Sequence, residues 1–254
     1  MKSMIGFRTL VWREIYRFMS VFKQTVSPPL ISSFLYIFTF GFSIGRRIHE
    51  VGGVPYLTFL IPGLLMMHAI EGSYQNTSSS LFISRWANNI EELLVTPISF
   101  FEMVLAILIG GLARSVMIVT GVWGISLLFV HFLPAHPLVM VYFLIFVSLI
   151  FSLVGMLVAL YAEEFEHMTV VTTFVISPLV FFGGVFNTLD MVPEKLQLFL
   201  KLNPIFYMVN GMRYGMLGRS DAPVAGSMLL VMALFLILFS ITVHLFRIGY
   251  KLRK

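Results

Sequence analysis

Two ionisable residues of opposite charge, Glu71 and Arg114, border long stretches that carry no charge. Glu71 directly follows the charge-free run 51–70, and Arg114 directly precedes the run 115–162. A charge within a membrane is costly and commonly marks a functional position. The two side chains can pair across neighbouring helices and fix the register of a bundle, or each can face a water-filled vestibule. Both interpretations make them a candidate intramembrane polar pair.

The chain lacks two motifs of nucleotide and metal chemistry. The phosphate-binding pattern G-x-x-x-x-G-K-[ST] is absent, since the sequence has no Gly-Lys dipeptide, and the zinc pattern H-E-x-x-H is absent as well. We therefore assign this chain no catalytic, cofactor-binding or metal-binding residue. Any ATP hydrolysis linked to this protein must come from another chain.

The composition indicates that lipid is the solvent for most of the chain. Hydrophobic residues make up 58% of the 254 residues and charged residues 11%, with no cysteine and a mean hydropathy of +0.93. A soluble domain averages roughly 25% charged residues. These values exclude an ordinary soluble enzyme, a disordered chain and a disulfide-stapled secreted domain.

The charge-free runs predict an all-α integral membrane protein that forms a single domain, 1–254. A helix needs about 20 apolar residues to cross the hydrocarbon core, and the turn at Leu133-Pro134-Ala135-His136-Pro137 divides the longest run. Six transmembrane helices are predicted, near 28–45, 54–78, 101–132, 138–161, 168–186 and 224–246.

The distribution of basic residues predicts that both termini are cytoplasmic. Six spans place the termini on one side of the membrane, and that side carries ten Lys and Arg residues against six on the other. Lys and Arg accumulate on the cytoplasmic side of membrane proteins.

The N-terminal segment 1–23 has the pattern of an amphipathic interface helix. Five apolar residues recur at helical spacing, and the cations Arg13 and Arg17 fall on the opposite face. Such a helix can lie in the cytoplasmic leaflet as an anchor, or form an elbow that also contacts a soluble partner. The apolar residues are Phe7, Val11, Ile15, Phe18 and Phe22.

Between the second and third predicted spans, 83–95 is too short and too charged to cross a membrane. Ile83, Trp86, Ile90 and Leu93 form an apolar stripe, and Pro97 ends the pattern. A short cytoplasmic helix of this kind can insert into a groove of another protein or lie on the membrane surface. The candidate contact residues are Arg85, Trp86, Asn89, Ile90, Glu91, Glu92 and Leu93.

The segment 187–217 predicts a re-entrant pair of helices on the outer side, before the last span. Its two apolar patterns are separated by Asn203-Pro204, and each is too short to cross the membrane. Irregular backbone at membrane depth must be buried in protein or face a watery cavity. Gly211 and Gly215 form a small-xxx-small surface that permits close helix packing.

Four stretches together resemble the permease subunits of ABC-2 type exporters, in particular a YadH-like group of bacterial inner-membrane permeases. They are VSPPLISSFLYIF at 26–38, RWANNIEELLVTP at 85–97, FVISPLVFFGGVF at 174–186 and LNPIFYMVNGMRYGMLG at 202–218. The resemblance extends over nearly the whole chain. Glu71 is one departure, because a neutral residue is expected there.

The resemblance implies a half-transporter in the bacterial inner membrane. Two permease chains would form a homodimer, and two copies of a separate ATP-binding cassette ATPase would bind ATP and Mg²⁺ beneath them. It further implies that 83–95 is the coupling helix on the ATPase, that 1–23 is the connecting interface helix, and that 187–217 forms the extracellular helices. Membrane lipids are expected partners, and nucleic acid is not.

The function expected from this resemblance is export of an amphipathic or lipid-linked substrate or drug. A glycan or glycolipid exporter of the same architecture is an alternative. A membrane-embedded enzyme or a structural subunit, from a different functional class, is a further alternative.

Overall fold

A computed structural model describes residues 2–43, 50–51 and 53–252 of the chain, and its regular structure is almost entirely helical. One short hairpin pairs β1 (Glu50–Val51) with β2 (Val54–Pro55). A π-helical turn, Thr172–Ile176, joins α8 to α9, and a 3-10 turn, Leu189–Met191, precedes α10. The helices are α1 (Lys2–Ser20), α2 (Phe22–Thr25), α3 (Ser27–Ser43), α4 (Tyr56–Trp86), α5 (Asn89–Leu94), α6 (Phe100–Ser126), α7 (Pro137–Tyr161), α8 (Phe165–Val171), α9 (Ser177–Phe181), α10 (Glu194–Leu202), α11 (Pro204–Leu217) and α12 (Val224–Arg247).

Every predicted span overlaps a helical segment, which confirms the all-α membrane class. Within the described residues, α6, α7 and α12 are long and apolar enough to cross a bilayer. Helix α3 has only 17 residues, and α4 is continuous but polar in its second half. The segment from α8 to α9 is apolar but also short. The count of six spans therefore stays a prediction.

Helix α4 lies at the centre of the bundle and has 31 residues. It packs along α6 and α7 and also contacts α3 and α11. Because protein surrounds most of its surface, α4 can carry polar side chains that lipid would not tolerate. Ser73, Asn76, Thr77, Ser78 and Ser80 are all buried in its second half.

Small residues allow α4 and α7 to approach each other closely. A Cβ atom placed on Gly155 of α7 would lie 2.6 Å from the carbonyl oxygen of Tyr74 and 3.1 Å from the amide nitrogen of Ser78. The Thr77 hydroxyl donates to the Ser152 carbonyl at 2.8 Å, across the same contact. Side-chain packing at such distances drives helix association within lipid, where apolar burial alone does not.

The predicted pair of short helices in 187–217 is present as α10 and α11. Asn203 separates them, and its amide oxygen accepts a hydrogen bond from the Ile205 amide at 3.0 Å. Gly211 faces the ring of Phe143 on α7, and a Cβ on Gly215 would lie 2.5 Å from the Met140 amide nitrogen. The predicted close packing at these two glycines is confirmed, whereas re-entry into the membrane stays a prediction.

Arg213 holds α11 to its surroundings from a fully buried position. Its Nη2 donates to the Gly184 carbonyl at 2.6 Å, and its guanidinium lies 4.0 Å from the ring centroid of Phe59 on α4. Nη1 is 4.0 Å from the Asp221 carboxylate. These contacts tie α11, the turn after α9 and the start of α4 into one unit.

The close approach of α4 and α7 predicts that Gly155 accepts no larger side chain. Gly155→Leu should lower the thermal midpoint in detergent, because overpacking costs typically about 1–3 kcal/mol. Gly124→Leu is the matched control, since a Cβ at Gly124 meets no atom within 4 Å. Size-exclusion profiles after heating measure the effect, and equal midpoints for the two variants would contradict the packing described here.

Candidate functional site: a docking end and a polar cavity

One end of the bundle, which we call the α5 end, carries both α1 and α5. Helix α1 packs on α6 through a face centred on Leu10, Glu14 and Phe18, all of which are buried. Of the five residues on the predicted apolar face, Phe18 alone is buried, and Phe22 is exposed. The buried face is rotated relative to the predicted one because a carboxylate takes part in the contact.

The Glu14 side chain has no exposed surface and is held by three polar neighbours. Its Oε2 accepts a hydrogen bond from the Ser80 hydroxyl of α4 at 2.6 Å, and its Oε1 accepts one from Arg13 at 2.9 Å. The Nε atom of Arg17 lies 3.6 Å from Oε2. Gly110 of α6 makes room for this arrangement, since a Cβ there would lie 2.7 Å from the Glu14 Cβ.

Arg17 extends the contact from α1 onto α4. Its Nη2 donates to the Asn76 carbonyl at 2.7 Å and to the Asn76 side-chain oxygen at 3.1 Å. Its Nη1 donates to the Ser79 hydroxyl at 3.3 Å. Burial lowers the pKa of the Arg17 guanidinium and the Glu14 carboxylate opposes that shift, so Arg17 stays charged at neutral pH. Arg13, by contrast, is exposed.

Sequence reasoning missed Glu14. Neither the apolar face nor the cationic face predicted for 1–23 includes this carboxylate. The available signal was its position four residues from both Leu10 and Phe18, which puts it on one face with two apolar residues.

Because Glu14 joins α1 to α4, Glu14→Gln should release α1 from the bundle. Removing one partner from a buried charge pair costs about 3–5 kcal/mol, because the other charge is left uncompensated. Limited trypsin digestion in detergent should then cut faster at Arg8, Arg13 or Arg17.

Glu92→Gln is the control for that digestion, because Glu92 is an exposed carboxylate at the same end. Cleavage of Glu14→Gln at the wild-type rate would show that the buried carboxylate does not hold α1 in place.

The predicted coupling helix, 83–95, consists of two elements in the structure. Helix α4 continues through Trp86, and Asn88 then adopts a left-handed conformation with φ 57°. The separate helix α5 begins at Asn89 and ends at Leu94. The chain direction therefore changes sharply within the predicted segment.

Three of the seven predicted contact residues point into the chain's own fold. Ile90 is 4% exposed and lies in a core cluster with Phe82 and Leu160. Leu93 packs against that cluster and against the one that contains Leu10 of α1. Arg85 donates to the carbonyls of Ala159 and Ala162 at the end of α7, and burial lowers its pKa.

The other four predicted contact residues form an outward surface, which we call the α5 surface. The Trp86 side chain is 65% exposed. Asn89, Glu91 and Glu92 are exposed beside it. The α5 surface thus presents one large aromatic ring and two carboxylates, and nothing within the described chain covers it.

Glu71 and Arg114 line one cavity of about 250 Å³. Within the described residues, however, no ion pair joins them, because each side chain is turned toward other groups. Arg114 donates to the Thr25 carbonyl at 3.2 Å and to the Gln75 side-chain oxygen at 3.4 Å. The Glu71 Oε2 lies 3.8 Å from Nδ1 of His68. We call this space the charged cavity.

A second cavity, of about 400 Å³, adjoins the charged cavity and shares part of its wall. Its remaining lining is mixed, with hydroxyl groups from α4 and α8 and three larger side chains, Tyr74, Phe165 and Met168. The residues common to both walls are Gln24, Thr25, Gln75 and Arg114.

The described residues contain no group of three or more His, Cys, Asp or Glu side chains that could hold a metal ion. The stretch Gly41-Phe42-Ser43-Ile44-Gly45 matches the nucleophile pattern G-x-S-x-G. That pattern requires a sharp turn between a strand and a helix, whereas Ser43 ends the continuous helix α3. Ile44 and Gly45 lie outside the described residues.

Comparison with known proteins decides the family. Residues 6–217 match the family model described as ABC-2 type transporter. The chain belongs to the ABC-2 type transporter family. It is 40% identical over 237 residues to the inner membrane transport permease YadH of Escherichia coli strain K12, covering 91% of this chain and 92% of that protein. The resemblance inferred from the sequence is thereby confirmed.

More distant relatives are also similar over most of the chain. The nodulation protein J of Rhizobium meliloti strain 1021 is 26% identical over 215 residues, covering 82% of this chain and 80% of that protein. The nodulation protein J of Bradyrhizobium diazoefficiens is 25% identical over 214 residues, with 83% and 81% covered.

Proposed function

We propose that this ABC-2 type chain is the permease subunit of an exporter in the bacterial inner membrane, driven by a separate ATP-binding cassette ATPase. Family membership and similarity to a protein named as an inner membrane transport permease support the proposal. The observation that carries it is the α5 surface, where the aromatic ring of Trp86 and the carboxylates of Glu91 and Glu92 are exposed. Two permease chains form the dimer, and two ATPase copies bind at this surface.

In this proposal the α5 end is cytoplasmic, and so are both termini. The excess of Lys and Arg on that side supports the orientation. ATP and Mg²⁺ bind to the ATPase and not to this chain. The permease contributes the α5 surface, which receives the movement of the ATPase, and the helices that transmit this movement across the membrane. Lipid surrounds the outer faces of α12 and α3.

Movement passes from α5 into the bundle through direct connections. Only two residues, Ala87 and Asn88, separate α5 from α4, and Leu93 packs against the apolar cluster of α1. Glu14 and Arg17 bond α1 to the same half of α4. Pressure on the α5 surface therefore displaces α4 and α1 together, and α4 lines the charged cavity.

The substrate in this proposal is an amphipathic or lipid-linked molecule or a drug. The two adjoining cavities support it, since one wall is charged and the other carries aromatic and apolar side chains. A glycan or glycolipid is the alternative substrate, favoured by the hydroxyl and amide groups in both walls. A membrane enzyme would instead show turnover without an ATPase, and a structural subunit would leave ATP hydrolysis insensitive to substrate.

The α5 surface predicts that Trp86→Asp separates the permease from its ATPase. Loss of a central aromatic contact at an interface typically costs about 2 kcal/mol or more, which corresponds to an affinity at least about tenfold weaker. ATPase activity that co-purifies with tagged permease in mild detergent should fall accordingly. Glu91→Lys combined with Glu92→Lys should act in the same direction.

Two variants separate loss of docking from loss of fold. Leu133→Asp is the control, because Leu133 is an 88% exposed residue in the loop before α7. Ile90→Asp should instead give aggregated protein, since it places a carboxylate in the core. A folded Trp86→Asp permease that retains all its ATPase, or a wild-type permease that purifies with none, would refute the proposed docking.

A further inference from the structure

Two opposite charges face the charged cavity without neutralising each other. Arg114 is 6% exposed and Glu71 is partly exposed, yet their charged atoms lie further apart than the 4.0 Å of an ion pair, as the contacts of both residues show. An ionic group in a confined, partly dry space is stabilised by a matching charge. The cavity therefore offers a cationic and an anionic position to a single ligand.

Several polar atoms of this wall have no hydrogen-bond partner among the described residues. They are Nε of Arg114 and both ring nitrogens of His68, which is only 3% exposed. Buried donors and acceptors are normally satisfied, and leaving them unpaired costs free energy. The two side chains belong to different helices, His68 to α4 and Arg114 to α6, and both line the same cavity.

Arg17 lines neither cavity. It bonds to Ser79 of the adjoining wall and shares the Glu14 carboxylate with Arg13, since its Nε lies 3.6 Å from Oε2 and the Arg13 Nη2 lies 2.9 Å from Oε1. One positive group and one carboxylate thus remain at the charged cavity itself. A purely anionic ligand would be repelled by Glu71, and a purely cationic ligand by Arg114.

We propose that the charged cavity binds the zwitterionic head group of an amphiphile. Its phosphate or carboxylate contacts Arg114, and its ammonium group contacts Glu71. This inference rests on the proposed function and names the chemical class of its substrate. The volume of about 250 Å³ lies near the lower end for small-molecule pockets, which suits a head group. The adjoining cavity, with Tyr74, Phe165 and Met168 in its wall, receives the beginning of the apolar chain.

The test is a binding measurement on the full chain in nanodiscs of phosphatidylglycerol, which contain no zwitterionic lipid. Labelled dodecylphosphocholine is the probe. The competitors are dodecyl phosphate, dodecyltrimethylammonium and phosphocholine without a chain. The zwitterion should bind at least about tenfold more tightly than either singly charged amphiphile, because each charge-assisted contact contributes a factor of this size.

The chainless competitor distinguishes a lipid from a soluble ligand. Weak competition by phosphocholine supports an amphiphile, since the adjoining cavity then contributes to binding. Competition by phosphocholine as strong as that of the probe overturns the amphiphile part of the proposal. Equal binding of either singly charged amphiphile and the zwitterion by the wild type overturns the proposal altogether.

Substitutions at Arg114 and Glu71 test which charge of the ligand each residue contacts. Arg114→Gln should abolish the preference for the zwitterion over the cation, and Glu71→Gln should abolish the preference over the anion. Arg114→Lys should retain both preferences. Glu194→Gln combined with Lys195→Gln is the matched control, because it removes an exposed pair of opposite charges on α10.

Unchanged preferences in both Arg114→Gln and Glu71→Gln would place the ligand elsewhere and overturn the proposal. The wild-type ranking decides even if a variant fails to fold. The measurement uses neither ATPase nor ATP, so its failure is distinguishable from failure of the proposed docking, which is judged by co-purified ATPase alone.

Discussion

The buried carboxylate of Glu14 is the constraint on which the arrangement of the α5 end depends. An uncompensated charge at this position would cost several kcal/mol. Arg13 and Arg17 of α1 itself partly compensate it, and the helix docks where Ser80 of α4 supplies a further donor. Apolar contacts of α1 alone would permit sliding or rotation along α6. The carboxylate selects one position, and Gly110 provides the space for it.

The same requirement for partners explains the polar interior of α4. Serine, threonine and asparagine side chains can be placed at membrane depth only if protein surrounds them, and α6 and α7 do so along most of the helix. Hydrogen bonds such as that from Thr77 to the Ser152 carbonyl then stabilise the bundle. Helix α4, which is less apolar, is thus the most enclosed helix, while the more apolar α12 faces outward along most of its length.

The sequence predicted most helices because charge-free runs, prolines and small residues act locally. The break at Asn203-Pro204 and the close packing at Gly211 and Gly215 are of this kind. Which face of a short helix points inward is a tertiary property, and periodicity could not determine it. Ile90 belonged to an apparently exposed stripe, yet it packs into the core.

Polar contacts between distant parts of the chain were equally hidden from sequence patterns. Arg85 looked like a surface cation of a coupling segment, but it bonds to carbonyls at the end of α7. Glu71 and Arg114 were identified by their charge alone. They line one cavity, and no ion pair joins them within the described residues. The partners of Arg114, Thr25 and Gln75, depend on how α2, α4 and α6 meet, which no local pattern encodes. His68, by contrast, lies three residues before Glu71 on the same helix.

The uninterrupted length of α4 gives it the properties of a lever. With 31 residues and a rise of about 1.5 Å each, it measures about 46 Å from end to end. A rigid tilt of about 5° about one end would move the other by roughly 4 Å over that length. Pro62 removes one backbone hydrogen bond near the N-terminal end of α4, so the helix can pivot there. A small rotation at one end of α4 would thereby become an ångström-scale displacement at its other end.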